Sequence, residues 1–151
     1  MKEKAEDQAK EELATAQRNL NDEIKRLEAM KVELKRMQDH RTAKRAEYDM
    51  KVRSRQLKPQ QMPQVDQFLR KLGEEESAFQ ETMKDQERRI QAAEAVVEQA
   101  KEKLVEAAKE KKAMEKHKES FMKQALKEMA DKEADAQDEL GQMIFMSGRN
   151  R

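Results

Sequence analysis

Histidines and closely spaced carboxylates are the side chains of this sequence that could do acid–base or metal chemistry. His40 and His117 each stand among lysines and arginines, whereas a general base needs a partner within hydrogen-bond reach. Glu74, Glu75 and Glu76 suggest a site for a hard cation, but adjacent helical residues point in different directions. The chain has no cysteine, which removes thiolate ligands and a cysteine nucleophile. We therefore predict a chain that is not an enzyme and that carries no metal or cofactor.

Apolar residues recur at seven-residue intervals in two separate parts of the chain. The repeats consist of Leu13, Leu20, Leu27 and Leu34, and then of Ile90, Val97 and Leu104. Pro59 and Pro63, the only prolines, lie between the two repeats. A sustained heptad repeat, a break marked by proline and a second heptad repeat are typical of two long helices that fold back on each other.

The composition supports the same architecture. Charged residues make up 43% of the chain and aromatic residues 3%, which is too little apolar volume for a globular core but enough for a seam between two helices. Disorder is the alternative for so charged a chain, but a disordered segment would not keep its apolar residues in heptad phase. We predict an all-α fold, an antiparallel coiled-coil hairpin whose second helix is longer and overhangs the first.

The hairpin is predicted to be a single domain over residues 1–151. Helix one is expected at about 3–58, the turn at about 59–63, helix two at about 64–143 and a C-terminal tail at about 144–151. A turn centred near residue 60 requires facing residues to have numbers that sum to about 120, since both helices rise equally from the turn. This register places Leu20 against Ala100 and Lys44 against Glu76.

The stripe of apolar residues continues beyond the predicted end of the paired arm, near residue 119. The candidate partner-binding residues are Phe121, Met122, Leu126, Met129, Leu140 and Met143. A partner that takes this stripe as an amphipathic helix in a groove would explain them. A longer helix one that once covered the stripe, or self-association of the stripe, would also explain them.

The charge pattern argues against a nucleic-acid-binding protein. Residues 35–58 carry nine basic and three acidic side chains, and residues 66–87 carry three basic and seven acidic. A hairpin places these blocks side by side, so we expect them to neutralise each other rather than to leave a basic stripe free for phosphates. The N-terminus has no apolar run of a secretory signal, and no stretch is long enough to cross a membrane. We expect a cytoplasmic protein.

The segment from residue 115 to residue 144 resembles the C-terminal helix of the YscO/FliJ family of type III secretion proteins. The matching residues are Lys116, His117, Lys118, Phe121, Asp138 and Glu139. The chain length and a short turn near one third of the chain are also similar to that family. The resemblance implies a central stalk whose paired termini enter the pore of the hexameric export ATPase, with the turn directed towards the export gate of the inner membrane. It also implies contacts with export chaperones.

Three kinds of function follow from these observations. The first is a stalk and coupling protein of a type III secretion system, expected to be a monomer that binds the export ATPase. The second is a structural or chaperone-like coiled-coil module, which would polymerise or bind partners along its length. The third is a basic helix for nucleic acid, which would be retained on DNA or RNA in a salt-sensitive manner.

Overall fold

The computed structural model describes residues 2–149 of the chain, and the side chains of residues 4–148, as two long helices joined by a short reversal. Helix α1 is Lys2–Arg53 and helix α2 is Met62–Arg149, with a short 3-10 helix at Pro59–Gln61 before α2. The helices pack against each other, and α2 has 88 residues against 52 in α1. The predicted all-α hairpin with a longer second helix is confirmed.

The chain packs as two units. One unit is Ala9–Lys103, and the other combines Met1–Gln8 with Leu104–Arg151. The first unit has its core cluster at Ala16, Val97 and Ala100, with Leu13 and Leu20 packed against it. In the second unit, Lys111 forms an ion pair of 3.3 Å with Glu6.

The least exposed side chains of the first unit recur at the a and d positions of the heptads, which together form the seam. The buried apolar members are Ala9, Ala16, Val65, Met83, Val97 and Ala100. None of the described side chains is completely buried, because a pair of helices covers each seam residue from one side only. The stability of the hairpin therefore comes from many partly buried layers rather than from one dense core.

Contacts between α1 and α2 fix the register of the first unit. The contacts that cross the seam are Glu12 with Lys103, Glu23 with Gln86 and Arg41 with Glu76. Their residue numbers sum to values between 109 and 117, and Ala16 with Val97, which share one buried cluster, sum to 113. The predicted sum of 120 is therefore wrong by about one heptad.

Two of the expected contacts change with this register. Glu76 pairs with Arg41 at 3.0 Å, and Lys44 pairs instead with Glu47 on its own helix at 3.2 Å. Leu20 packs against the cluster that contains Ala100. A shift by seven residues keeps every a and d position in the seam, so the apolar pattern alone does not select between the two registers.

The position of the chain reversal explains the shift. Helix α1 ends at Arg53, five residues before the expected end at Lys58, and α2 begins at Met62 with Pro63 in its first turn. Pro59 is the first residue of the 3-10 helix. Proline is well tolerated at the start of a helix, so both prolines mark the beginning of the second helical segment rather than the centre of the turn.

A hydrogen-bonded cap closes the end of α1. The amide of Gln56 donates to the carbonyl of Lys51 at 2.9 Å, and the amide of Arg55 donates to the carbonyl of Val52 at 3.2 Å. This pair of bonds is the Schellman motif, and Arg55 has the positive φ of 56° that the motif requires at this position. Ser54 adds a hydrogen bond from its hydroxyl to the carbonyl of Met50 at 2.9 Å.

Helix α2 also differs from its expected end. It continues to Arg149, through residues 144–149 that were assigned to a tail, while residues 150 and 151 of that tail lie outside the described part of the chain. Gly141 and Gly148 both lie within this helix. A glycine inside a helix costs only about 1 kcal/mol relative to alanine, which the surrounding alanine, glutamate and methionine residues tolerate.

Two buried polar residues interrupt the apolar seam. Gln86 donates hydrogen bonds from its amide to the backbone carbonyl and the carboxylate of Glu23. Glu76 is 7% exposed, and its Oε2 atom accepts no hydrogen bond but lies 3.0 Å from Nε of Arg41. A buried carboxylate requires a compensating cation, so the ion pair with Arg41 is a specific requirement of this register.

Engineered disulfides provide a test of the register, because the native chain has no cysteine. The residue numbers of Met30→Cys and Met83→Cys sum to 113, as in the observed register. We expect this pair to form a disulfide on mild oxidation. The residue numbers of Met37→Cys and Met83→Cys sum to 120, as in the predicted register. In the observed register these two positions are one heptad, roughly 10 Å, out of alignment, which is too far for a disulfide, so this pair should not cross-link. Cross-linking of the second pair in preference to the first would contradict the observed register.

Removal of the cation that faces Glu76 should destabilise the hairpin. Arg41→Met leaves a buried carboxylate without its partner, and we expect a loss of about 1–2 kcal/mol in the free energy of unfolding, since Arg41 itself is half exposed. Addition of Glu76→Met should restore most of the stability. The measurement is urea unfolding followed by circular dichroism, and a double variant less stable than Arg41→Met would argue against this role.

Arg55 occupies a backbone conformation that glycine adopts more readily. Arg55→Gly should therefore stabilise the hairpin by about 1 kcal/mol, provided that the Schellman bonds are kept. Thermal melting at neutral pH measures the change, and Arg53→Gly, inside the last turn of α1, serves as a control that should lower the melting temperature. A lower melting temperature for Arg55→Gly would show that the left-handed residue is not strained.

Candidate functional site: the exposed C-terminal part of α2

The C-terminal part of α2 presents its apolar side chains to solvent. Ala125 is the only residue from 112 to 148 whose described side chain is not exposed. The helix forms here because the segment is rich in alanine, glutamate, lysine, glutamine and methionine and has no proline. Large apolar side chains such as Phe121, Leu126 and Met129 are therefore left mostly in contact with solvent.

All six candidate binding residues lie in this segment. Phe121 is 68% exposed and Leu126 is 62% exposed, and Met122, Met129, Leu140 and Met143 have similar exposures. Met122, Leu126 and Met129 follow at intervals of four and three residues, which places them on one side of the helix. Leu140 and Met143 continue this side at heptad spacing. We call these six residues the apolar stripe.

The sequence analysis missed a second apolar feature directly after the stripe. Ile144, Phe145 and Met146 are each more than 60% exposed and continue from Met143 without a polar residue between them. Successive residues of a helix are separated by about 100°, so four in a row surround the whole helix axis. The uninterrupted apolar run is visible in the sequence, but residues 144–146 lie in the predicted tail and only Met143 is among the candidate binding residues. We call residues 143–146 the apolar run.

Charges divide the same segment into two parts. Lys116, Lys118, Lys123 and Lys127 make residues 116–127 basic, with Glu119 as the one acidic residue. Residues 128–139 carry six acidic side chains and one lysine. These charged side chains form no ion pair with other described residues, so they remain available to a partner of complementary charge.

The two histidines lie on different helices. His40 lies on α1 in a groove of about 260 Å³ lined by Glu33, Arg36, Met37, Leu72 and Glu75. Arg36 donates hydrogen bonds to the Glu33 carboxylate, which hold the pKa of Glu33 below its ordinary value. Glu33 is therefore an ion-pair partner rather than a proton donor near neutral pH. His117 lies exposed on α2 between Lys116 and Lys118.

Glu74, Glu75 and Glu76 do not converge on a cation. Glu76 points into the seam towards Arg41, whereas Glu74 and Glu75 are exposed. Within residues 2–149, no group of three histidine, cysteine, aspartate or glutamate side chains is arranged to hold a metal ion. A second groove, of about 410 Å³, is lined by alanines and charged side chains around Ala16, Arg26 and Ala93.

The comparisons with known proteins decide the family. A family model described as YscO-like protein matches residues 1–151, which is the whole chain. The chain belongs to the YscO-like family. The resemblance noted from residues 115–144 is confirmed, and the chain is a type III secretion-associated protein of a non-catalytic accessory family. No curated protein matches the sequence.

A solved structure supports the fold. The structure of CT670 from Chlamydia trachomatis, described as a YscO homologue, matches with a TM-score of 0.85 and 24% sequence identity. The match covers 99% of this chain and 92% of the chlamydial chain. At this identity the likeness shows that the two proteins share the long hairpin fold.

Proposed function

We propose that this protein is the non-enzymatic stalk and coupling protein of a bacterial type III secretion system, and that the apolar stripe and the apolar run bind the hexameric export ATPase. The protein would act as a monomer in the cytoplasm, at the cytoplasmic face of the inner membrane. Its other partners would be the export gate, contacted at the turn, and export chaperones. Family membership supports the secretion role, and the exposed C-terminal part of α2 supports the ATPase contact.

The observation that carries the proposal is the exposure of residues 143–146 around the whole helix. A helix that is apolar on all sides is normally surrounded by protein on all sides. A groove covers one side of a helix, whereas the central pore of a ring-shaped partner encloses it. The hexameric ATPase that the YscO resemblance implies is a partner with such a pore.

The phase of the stripe favours a separate partner over an extension of α1. The hairpin seam uses Val97 and Leu104 at its a positions, and the a and d series continue at positions 118, 125 and 132 and at positions 121, 128 and 135. Phe121 and the half-buried Ala125 are therefore in phase with the seam. The rest of the stripe lies one residue later in the heptad, at Met122, Leu126, Met129, Leu140 and Met143, which turns this side of the helix by about 100° from the seam. A longer α1 in the same phase would face Phe121 and Ala125 but would leave the rest of the stripe uncovered.

The size of the exposed apolar surface fits a specific interface. Large, exposed apolar side chains that lie close together are uncommon on soluble proteins and mark binding surfaces. Aromatic and long aliphatic side chains that enter pockets of a partner contribute about 2 kcal/mol or more each at the centre of an interface. Phe121 and Leu126 meet this description, and the methionines adapt to an irregular surface.

Binding to the hexameric export ATPase of the same secretion system tests the proposal. Phe121→Ala with Leu126→Ala should weaken binding by at least about a hundredfold, from two residues at about 2 kcal/mol each. Met143→Ser, Ile144→Ser and Met146→Ser together should have a comparable effect. Isothermal titration calorimetry measures the dissociation constant, and circular dichroism melting measures the fold of each variant.

The matched control removes exposed apolar side chains from the other packing unit. Val32 and Val96 are both at least half exposed, so Val32→Ala with Val96→Ala should leave binding and melting unchanged. Weak binding with an unchanged melting temperature for both C-terminal variants supports the proposal. Unchanged binding together with a lower melting temperature would mean that these residues belong to the hydrophobic core.

A further inference from the structure

The turn between the helices carries a concentration of positive charge. Residues 50–65 contain four basic side chains and no acidic one. The neutralisation expected between residues 35–58 and residues 66–87 is limited, because Arg41 with Glu76 is the one ion pair among the described residues that joins these two blocks. We call Arg53, Arg55 and Lys58 the basic tip.

The three cations of the basic tip form no ion pair with other described residues. The nearby Lys51 pairs with Glu47, and the hydrogen bonds from Lys44 and Lys51 lower the pKa of that carboxyl. Arg53, Arg55 and Lys58 are exposed and form no ion pair with the described residues. Three cations therefore project from the reversal without compensation inside the protein.

The backbone gives independent evidence that the side chain of Arg55 has a role outside the fold. Its φ of 56° is the conformation for which glycine is preferred at the C-terminus of a helix. The Schellman hydrogen bonds use only backbone atoms of this residue, so folding does not require an arginine here. The fold therefore does not account for a long cationic side chain at this position.

Apolar side chains accompany the cations. Met50 is 72% exposed and Val52 is 43% exposed, and both lie in the last turn of α1 beside the basic tip. Apolar side chains flanked by lysine and arginine are the composition of protein surfaces that adsorb to the interface of a membrane. The cations meet anionic headgroups, and the apolar groups enter the boundary between headgroups and acyl chains.

The tip does not suit the other common polyanions. Single-stranded nucleic acid is bound by exposed aromatic rings, but residues 50–65 contain no aromatic residue, and the neighbouring Tyr48 and Phe68 pack edge to face with centroids 6.2 Å apart. Lys51 lies over the Tyr48 ring at 5.7 Å. An acidic peptide is held in a groove, and neither groove described above includes a residue of the tip. A flat layer of lipid headgroups requires neither a ring nor a groove.

We propose that the basic tip, with Met50 and Val52, binds the anionic phospholipid headgroups of a membrane surface. No helix within residues 2–149 is long and apolar enough to cross a membrane, so the contact is interfacial. This contact does not depend on the ATPase interaction proposed above, because it uses different residues of the other packing unit. The tip would hold the turn of the protein at the membrane surface, where the export gate proposed above as the protein partner of the turn also lies.

Sedimentation of the full chain with lipid vesicles tests this proposal. Vesicles of phosphatidylcholine mixed with phosphatidylglycerol should bind the chain, and vesicles of phosphatidylcholine alone should not. Arg53→Glu, Arg55→Glu and Lys58→Glu together should reduce the partition coefficient by at least about a hundredfold, since each cation near an anionic surface contributes roughly fivefold. The remaining binding should fall further as the salt concentration rises.

The matched control reverses three exposed lysines elsewhere, with Lys25→Glu, Lys31→Glu and Lys71→Glu. It makes the same change in net charge and should retain vesicle binding. Arg55→Gly should weaken binding severalfold while it raises the melting temperature, so a loss of binding cannot result from unfolding. Equal losses in the tip variant and the lysine control would overturn the proposal, as would equal binding to both kinds of vesicle.

Two competitors separate lipid headgroups from other anions. Inorganic phosphate and a polyglutamate peptide, each at the same ionic strength as a chloride control, should displace the chain from vesicles no better than chloride does. Displacement by phosphate would mean that the tip binds a free anion, and displacement by polyglutamate would mean that it binds an acidic protein segment. Either result would overturn the assignment to lipid.

Discussion

The position at which α1 stops is the constraint on which the rest of the structure depends. The Schellman bonds between residues 51 and 56 end the helix, and every later pairing follows, because two helices that leave one reversal rise by the same distance per residue. The register places Arg41 against Glu76 and Glu23 against Gln86. A different end of α1 would bury a carboxylate without its cation.

Heptad spacing predicts two helices and a seam, since side chains at a and d positions are the ones that two packed helices can shield from water. The same spacing does not fix the register, because a slide of seven residues returns every a and d position to the seam. The buried polar residues of the seam, Glu76 and Gln86, distinguish between the registers, because each requires a specific partner on α1. Which residues of α1 face them depends on where α1 ends. Pro59 was a poor guide to that end, since proline is equally compatible with the start of a helix.

The sequence does not indicate which residue adopts the left-handed backbone conformation at the end of α1. Glycine or asparagine normally indicates such a position, and here it is Arg55. The exposure of Phe121, Leu126 and Met129 could be predicted because they lie beyond the part of α2 that was expected to pair with α1. Their role in binding stays a prediction. The apolar run was missed because residues 144–151 were predicted to form a tail, whereas α2 continues to Arg149. Gly141 does not end the helix, since one glycine is a weak helix breaker among strong helix formers.

The apolar stripe with the apolar run, and the basic tip, differ in the kind of interaction by which each would bind a partner. The stripe and the run lose water from apolar surface on binding, a contribution that depends on shape and area and is insensitive to moderate salt. The basic tip acts through arginine and lysine, which stay charged throughout the physiological pH range, and its attraction to anions is screened within about 8 Å at physiological ionic strength. Salt would therefore release an anionic surface from the tip while an apolar contact at residues 121–146 persisted. Of the two proposed contacts, one would depend on the fit to a partner and the other on the charge density of a surface.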